Sequence, residues 1–506
     1  MKLKDIYLLL LISIVLIIGT FLHFKYGFFY LNSTGHAFGT DDAYITYRYA
    51  NNLFDGKGLV WNQGEYVEGF SNLLYTILIT PLFMFGKGNI YLSVTILNTI
   101  CILASIIILY TFFKKYISTR IAFIIALLMA LTPNLWVWTA SGMETSFIFL
   151  ITILIYTFTQ RIMFFNTKKN RYLYYITLIF SSLIRIDGFI VPIISSIFLL
   201  LRRQYNLAIK SIIVTASTVI FTTIWRFIYY GDILSNTFYV KVSGTLIQRI
   251  HASINQLVEI SQFSPIFIIS IFIFFIILYK IIRHQLSALT FEEIYIFLWF
   301  IYWIFIGGDV FYDRFLLPTI LFTIIVLIRF INKLRFCYIA YVCFLLIILS
   351  TILLDSRFQY NFNKFDSWIN LGNFLKENEP NKTIAIDAAG KIPFLFETYT
   401  IDMLGLNNKV IGKSKSNFFA VGHNKSDPNY IMSLSPDLIA AWIHPNLDLA
   451  YGIDNNLYLK NQYYIKYLMN PKLSPSNNPI IRVNPSDRES IKNKISSGFS
   501  YSILSQ

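Results

Sequence analysis

The chain has 506 residues, of which 56% are hydrophobic and 18% aromatic, and only 14% carry charge, far below the roughly 25% of ordinary soluble domains. That balance excludes a soluble enzyme, and the net charge of +15 does not indicate nucleic acid, because many basic residues sit in short clusters between apolar runs. Cys101, Cys337 and Cys343 all lie inside apolar stretches, which argues against a disulfide framework or a thiolate metal site.

The first run, 6–24, follows Lys2 and Lys4 and shows no small-residue cleavage site before Asn32, so it reads as a retained anchor with its N-terminus inside. A polar segment, 25–70, then lies outside. Residues 71–85 are apolar but short, contain Pro81 and sit between Gly69 and Gly86, which suits an interfacial helix better than a span. With that choice the basic loop Lys114–Arg120 falls inside, and so do Lys168 with Lys169 and Arg171, Arg202 with Arg203, Lys280 with Arg283, and Lys333 with Arg335. The expected spans are 6–24, 90–113, 121–140, 144–160, 172–184, 188–201, 207–229, 263–280, 294–307, 315–331 and 336–354, about eleven crossings. The fold class is therefore a polytopic α-helical membrane domain over 1–354, followed by an extracytoplasmic α/β domain over 355–506. In the latter, Thr383–Gly390 reads as a strand ending in a glycine turn, and the proline-bearing tail after Pro471 is expected to be irregular.

Under this topology the ionisable residues near the outer helix ends face one side: Asp41, Asp42, Arg48, Glu144, Arg185, Asp187, Arg226, Asp232, Lys241, Asp309, Asp313 and Arg314. Charge within a membrane costs about 2.5–3.5 kcal/mol per residue, so several at one depth point to an outward polar cavity. Each alone could be a headgroup-level residue, and Arg226 and Lys241 could be snorkelling anchors; Arg185 with Asp187 in one short hairpin is harder to explain that way. The adjacent carboxylates Asp41 and Asp42 open a short helix, where they could cap it, bind a divalent cation, or serve as a base and its positioning neighbour. No P-loop and no HExxH is present, and the histidines show no ligand spacing, so zinc and ATP chemistry are unsupported.

The run Asp41–Asn72, DDAYITYRYANNLFDGKGLVWNQGEYVEGFSN, resembles the first outer loop of a family of GT-C fold glycosyltransferases that includes the mycobacterial terminal arabinofuranosyltransferase. The likeness continues at Ser141–Thr145, Arg185–Gly188, Tyr230–Asp232, Ser235–Lys241, Gly307–Asp309, Arg314–Pro318 and Ile401–Leu406. Relatives usually carry proline where this chain has Gln63 and Ile186, and often where it has Ser235; none of these changes removes a functional group.

The resemblance implies a polyprenyl-phosphate sugar donor, a glycan, lipid or protein acceptor, and a bacterial inner-membrane location with the site outside. It implies Asp41 as the base of an inverting single displacement. Arg185, Arg226, Lys241 and Arg314 are the candidates to hold the donor phosphate. Tyr44, Arg48, Glu68, Glu144, Asp187 and Asp309 would position sugar or acceptor, with Trp61 a further sugar-facing aromatic. Asp42 and Glu144 are candidate ligands for a divalent cation, Mg or Mn. The rival classes are a lipid-linked sugar flippase, against which the one-sided charge and missing internal repeat argue, and a non-catalytic envelope-assembly protein on the same scaffold.

Overall fold

The computed structural model describes residues 3–29, 37–241, 244–334, 337–361, 364–415, 420–422 and 425–506. Helices make up the chain as far as Leu354, because a long apolar run can satisfy its backbone hydrogen bonds in lipid only within itself. In order they are α1 (Leu3–Tyr26), α2 (Asp41–Phe54), α3 (Leu73–Ile79), α4 (Ile90–Tyr116), α5 (Thr119–Ala130), α6 (Pro133–Ala140), α7 (Thr145–Phe164) and α8 (Lys168–Ile184). There follow α9 (Ile190–Leu201), α10 (Tyr205–Tyr230), α11 (Asn236–Lys241), α12 (Leu246–Phe263), α13 (Ile266–Ile282), α14 (Phe291–Ile306), α15 (Leu317–Ile331) and α16 (Cys337–Leu354).

Among the described residues four helices, those containing Leu3–Tyr26, Lys87–Tyr116, Thr145–Phe164 and Tyr205–Tyr230, are long and apolar enough to cross a membrane. A fifth span arises if α5 and α6 are taken together. The run 121–140, expected as one span, is bent by 55° at that junction. Pro133 explains the bend: it opens α6 at its first turn, where its missing N–H is harmless, and it biases Thr132 towards extended backbone. Large apolar side chains such as Phe221, Ile228, Phe272 and Leu353 lie exposed on these helices, a surface suited to lipid rather than water.

One helix escaped the apolar-run reading. Helix α12 turns only Ser253, Leu257, Ile260 and Phe263 inward, a three-to-four-residue spacing that makes it amphipathic. Its start carries a capping box between Thr245 and Gln248.

The C-terminal part is a six-stranded sheet in the order β2-β1-β3-β6-β4-β5. The strands are β1 (Ile384–Ile386), β2 (Thr400–Asp402), β3 (Leu438–Trp442), β4 (Tyr464–Met469), β5 (Ile480–Arg482) and β6 (Tyr501–Ser505). β1 runs parallel to β2 and β3, and the remaining pairs are antiparallel. Both faces are covered, and alternation assigns the residues: Ile384, Ile386, Leu438, Ala440 and Ile503 pack with Trp368 and Leu371 of α17 (Ser367–Asn378). Ala385, Ile439, Ala441 and Leu504 pack on the opposite face.

The tail after Pro471 is thus not irregular. It supplies β5, the helix Arg488–Ser496 and the central strand β6, its prolines falling in the turns before these elements.

Candidate functional site

A cavity of about 670 Å³ opens between the segment 41–72, the helix ends and the sheet domain, within the size range of ligand pockets. Its polar end is lined by Asp42, Glu144, Arg185, Asp187, Lys241, Asp309 and Arg314. Its apolar arm is lined by Phe189, Ile190, Ile193, Ile194 and Ile197 of the α8–α9 connection and α9, and by Leu298, Ile301, Phe305 and Ile306 of α14.

Each charged group at the polar end is placed by a backbone feature. The α8–α9 hairpin holds Arg185 against two carboxylates: Nη1 donates to Glu144 Oε1 at 2.6 Å, and Nε donates to Asp187 Oδ1 at 2.8 Å. Tyr302 donates to Asp187 Oδ2 at 2.6 Å, and Asn72 to Glu144 Oε2 at 2.9 Å. The hairpin is tied to the segment 41–72 by Ile186 N donating to Ser71 O at 3.1 Å.

Arg314 forms a two-pronged pair with Asp309 at 2.9 and 2.8 Å. Gln256 of α12 fixes the Asp309 backbone, accepting from its N–H at 3.0 Å and donating to its carbonyl at 3.1 Å. Gly308 has φ +90°, and a Cβ there would come within 1.9 Å of Gln256 Oε1, so this approach requires glycine. The arginines are 8% and 3% exposed in their side chains, whereas Lys241 is 33% exposed and lies 3.6 Å from Asp42. Lys241 is therefore the loosest of the cavity's cations.

The two adjacent carboxylates have different surroundings. Asp41 accepts from Gly390 N at 3.0 Å and Lys391 N at 2.8 Å, at the start of the sheet-domain helix α18 (Lys391–Phe396). Burial pushes its carboxyl up to about 6, against the lowering effect of those two amides. Both oxygens are engaged there and the residue is absent from the cavity lining. Asp42, one position on around α2, lines the cavity with its side chain 25% exposed. Of the two expected catalytic aspartates, Asp42 is thus the one that lines the cavity, while Asp41 faces the sheet domain.

Five further expected site residues lie outside the cavity lining. Arg48 donates to Trp61 O, Pro393 O, Thr398 O and Asn62 Oδ1 and stacks on the Trp61 ring, so it braces the segment 41–72 against the sheet domain. Trp61 itself is 2% exposed and has no face for a sugar. Glu68 pairs with Arg226 in a buried bridge, which makes a loop-to-α10 strut of both. Tyr44 is buried and donates to Phe38 O at 2.9 Å. Of the other charges that the sequence groups with these, Asp313 pairs with Arg357 at 2.9 Å and Asp232 with Lys409 at 2.6 Å and with Lys413.

The sheet domain closes over this region by specific bonds. Lys391 Nζ, fully buried, donates to Ala37 O, Gly39 O and Asp366 Oδ2 at 2.8, 2.7 and 2.6 Å. Asn236 Nδ2 reaches Gly405 O at 2.6 Å and Leu406 O at 2.9 Å. Asp402 shapes the Ile401–Leu406 turn by accepting from Leu404 N at 3.0 Å and Asn407 N at 2.8 Å, and that turn delivers Leu406 to the cavity wall. Sequence reasoning missed Gln256, Tyr302, Asn72 and Lys391; the capping box before α12 was the available signal for the first.

The divalent-cation expectation does not fit these residues. Both oxygens of Glu144 are taken, by Arg185 and Asn72. Among the described residues no three His, Cys, Asp or Glu side chains come together as a metal site.

Residues 355–474 match a family described as a domain of unknown function, DUF8728. No curated protein sequence matches the chain. Among solved structures, ArnT from Cupriavidus metallidurans in the apo state is similar at 10% identity, covering 99% of this chain and 98% of its own, with a TM-score of 0.57. Its form bound to undecaprenyl phosphate gives 10% identity, coverage of 98% and 97%, and 0.53. The Archaeoglobus fulgidus oligosaccharyltransferase, solved with Zn and sulfate, gives 13% identity, coverage of 91% and 72%, and 0.55. At such identities the likeness is one of fold, and the chain has the GT-C fold that its motifs resemble.

Proposed function

We propose that the chain is a membrane glycosyltransferase that moves a sugar from a polyprenyl-phosphate carrier to an acceptor hydroxyl of a cell-envelope glycan, lipid or protein. The carrying observation is the form of the cavity, in which a polar end with three cations continues into an arm walled by α9 and α14. A phosphate with a long isoprenoid tail has that same polarity. The likeness to a structure that holds undecaprenyl phosphate supports the reading.

In this mechanism the acceptor oxygen attacks the anomeric carbon while the bond from that carbon to the phosphate oxygen breaks. The bonding pair leaves on the phosphate, and the acceptor proton passes to Asp42. Lys241 sits 3.6 Å from Asp42, so a donor phosphate that draws Lys241 towards itself frees the Asp42 carboxylate to act as base. Arg185 and Arg314, held by their carboxylates, present fixed positive charge where negative charge accumulates on the leaving group. Phosphate leaves without a general acid, and no step runs through a metal.

The interfacial placement of 71–85, the outward-facing cavity and the eleven crossings belong to the same reading and rest on the charge pattern of the loops. The test is a comparison of envelope glycans, by mass spectrometry, from cells with and without the protein. A missing or shortened glycan with accumulation of one polyprenyl-phosphate sugar supports the reading; unchanged glycans and unchanged carrier lipids refute it.

A further inference from the structure

A second, polar pocket of about 330 Å³ lies away from the cavity, where the end of α2, the turn Thr80–Phe85 and α18 meet. Three cations line it, Arg48, Lys57 and Lys87, against two carboxylates, Asp55 and Glu397. Arg48 is the unusual member. It is 8% exposed, and its five hydrogen-bond contacts all go to neutral oxygens. Among the described residues no carboxylate hydrogen-bonds to it, and Glu397 and Glu65 act on its charge only from a distance, whereas a buried charge ordinarily has a bonded counter-charge.

Lys57 bonds Asp55 at 3.1 Å and Lys87 bonds Glu397 at 2.6 Å. An ammonium has three donors, so each lysine can serve its carboxylate and an incoming anion together. Immediately before Lys87, the segment that ends in Phe85 leaves Ile77, Leu78, Met84 and Phe85 exposed, Met84 to 70% and Phe85 to 58%. Exposed apolar residues with a lysine two positions beyond the last of them are the pattern of a segment lying in the membrane interface.

We propose that this pocket seats the phosphate of an anionic phospholipid headgroup, with the lipid's acyl chains lying along the exposed apolar side of 73–85. The headgroup bridges Lys57 on the first outer loop to Lys87 beside the sheet domain, in the field of the buried Arg48, whose own N–H donors stay with their neutral oxygens. It thereby ties both parts to the membrane surface. The apolar residues decide for a lipid source of the phosphate over a soluble one.

The test uses the full chain in detergent and native mass spectrometry with added phosphatidylglycerol, phosphatidylcholine or inorganic phosphate. The expected result is retention of phosphatidylglycerol over phosphatidylcholine, with no displacement by inorganic phosphate at equal concentration. Lys57→Gln with Lys87→Gln should weaken it about 30-fold, as two lysine contacts to an anionic headgroup are lost. Lys57→Arg with Lys87→Arg should retain it, and Lys241→Gln in the central cavity should leave it unchanged, which separates this site from the donor site.

Equal binding of the two lipids by the wild type overturns the proposal, as does full retention in the double glutamine variant. Displacement by inorganic phosphate would make the ligand a soluble phosphate and overturn the lipid assignment. Should the double variant misfold, Lys57→Gln alone, at an exposed ion pair of small energetic weight, carries the same test with a smaller loss.

Discussion

Replacing Lys391 by methionine keeps the length of the side chain but removes the buried ammonium that joins the two domains. In the wild type that ammonium neutralises Asp366 and satisfies the carbonyls of Ala37 and Gly39, all within 2.8 Å. Asp366 Oδ1 would keep its two amide donors at the start of α17, while Oδ2 would be left charged and unpaired. Removing one partner of a buried ion pair costs about 3–5 kcal/mol. For a domain of this size each kcal/mol corresponds to roughly 2–4 °C, so the melting temperature should fall by about 6–20 °C. Tryptophan fluorescence of the full chain reads this, since Trp368 and Trp442 both pack against the Tyr501 ring in the sheet domain, Trp442 edge-on. Adding Asp366→Asn, which removes the orphaned charge, should recover part of the loss. A Lys391→Met protein melting at the wild-type temperature would refute the buried tripod as a determinant of docking.

Three further outcomes follow from other parts of the structure. Asp387 and Asp402 in the sheet domain are pushed up by burial to about 7 and about 6. Groups raised on folding stabilise most below their unfolded values and lose that contribution as pH rises through the folded ones. The domain should therefore melt lower at pH 8 than at pH 5, with a flatter profile in Asp387→Asn; a wild-type profile that rises over this interval would contradict it. Gly142 has φ +82°, and a Cβ there would lie 2.4 Å from Tyr47 Oη, which donates to Gly142 O at 3.1 Å. Gly142→Ala should cost about 1–3 kcal/mol and show as a lower melting temperature, whereas Ser141→Ala, which removes a hydroxyl that donates to Trp138 O and accepts from Met143 N without straining the backbone, should cost less. Glu144→Gln leaves Arg185 with Asp187 alone, so in donor-turnover assays on purified protein it should alter the apparent affinity for donor more than Arg185→Lys, a change that keeps the charge, alters maximal turnover. The reverse order would mean that the carboxylate does not set the arginine.

The parts of this architecture that depend on local composition were legible in the chain. Apolar runs such as 90–113 and 207–229 became α4 and α10 almost to the residue, because a lipid-facing helix is apolar around most of its circumference. α12 was not, since only one of its faces is apolar. β6 escaped for another reason: five residues flanked by polar tail carry little pattern, and their place at the sheet centre is set by β3 and β4.

The polar cluster could be foreseen from the cost of charge in lipid, and Asp42, Glu144, Arg185, Asp187, Lys241, Asp309 and Arg314 do share one cavity. Which of two neighbouring aspartates faces inward could not be foreseen. Successive helical residues point about 100° apart, and what claims Asp41 is a pair of amides 349 and 350 positions away. The role of Arg48 was hidden likewise, its acceptors Pro393 O and Thr398 O lying 345 and 350 positions on.

The central claim is that Asp42, and not its neighbour, takes the acceptor proton. Its most direct test is turnover of a membrane extract of polyprenyl-phosphate sugars by the purified full chain in nanodiscs, following release of polyprenyl phosphate by mass spectrometry. Asp42→Asn should lower the rate by about 100- to 10,000-fold, the usual weight of a general base, while Asp41→Asn, which weakens docking, should retain a rate well above that of Asp42→Asn. Near-full turnover by Asp42→Asn, or loss confined to Asp41→Asn, would contradict the account.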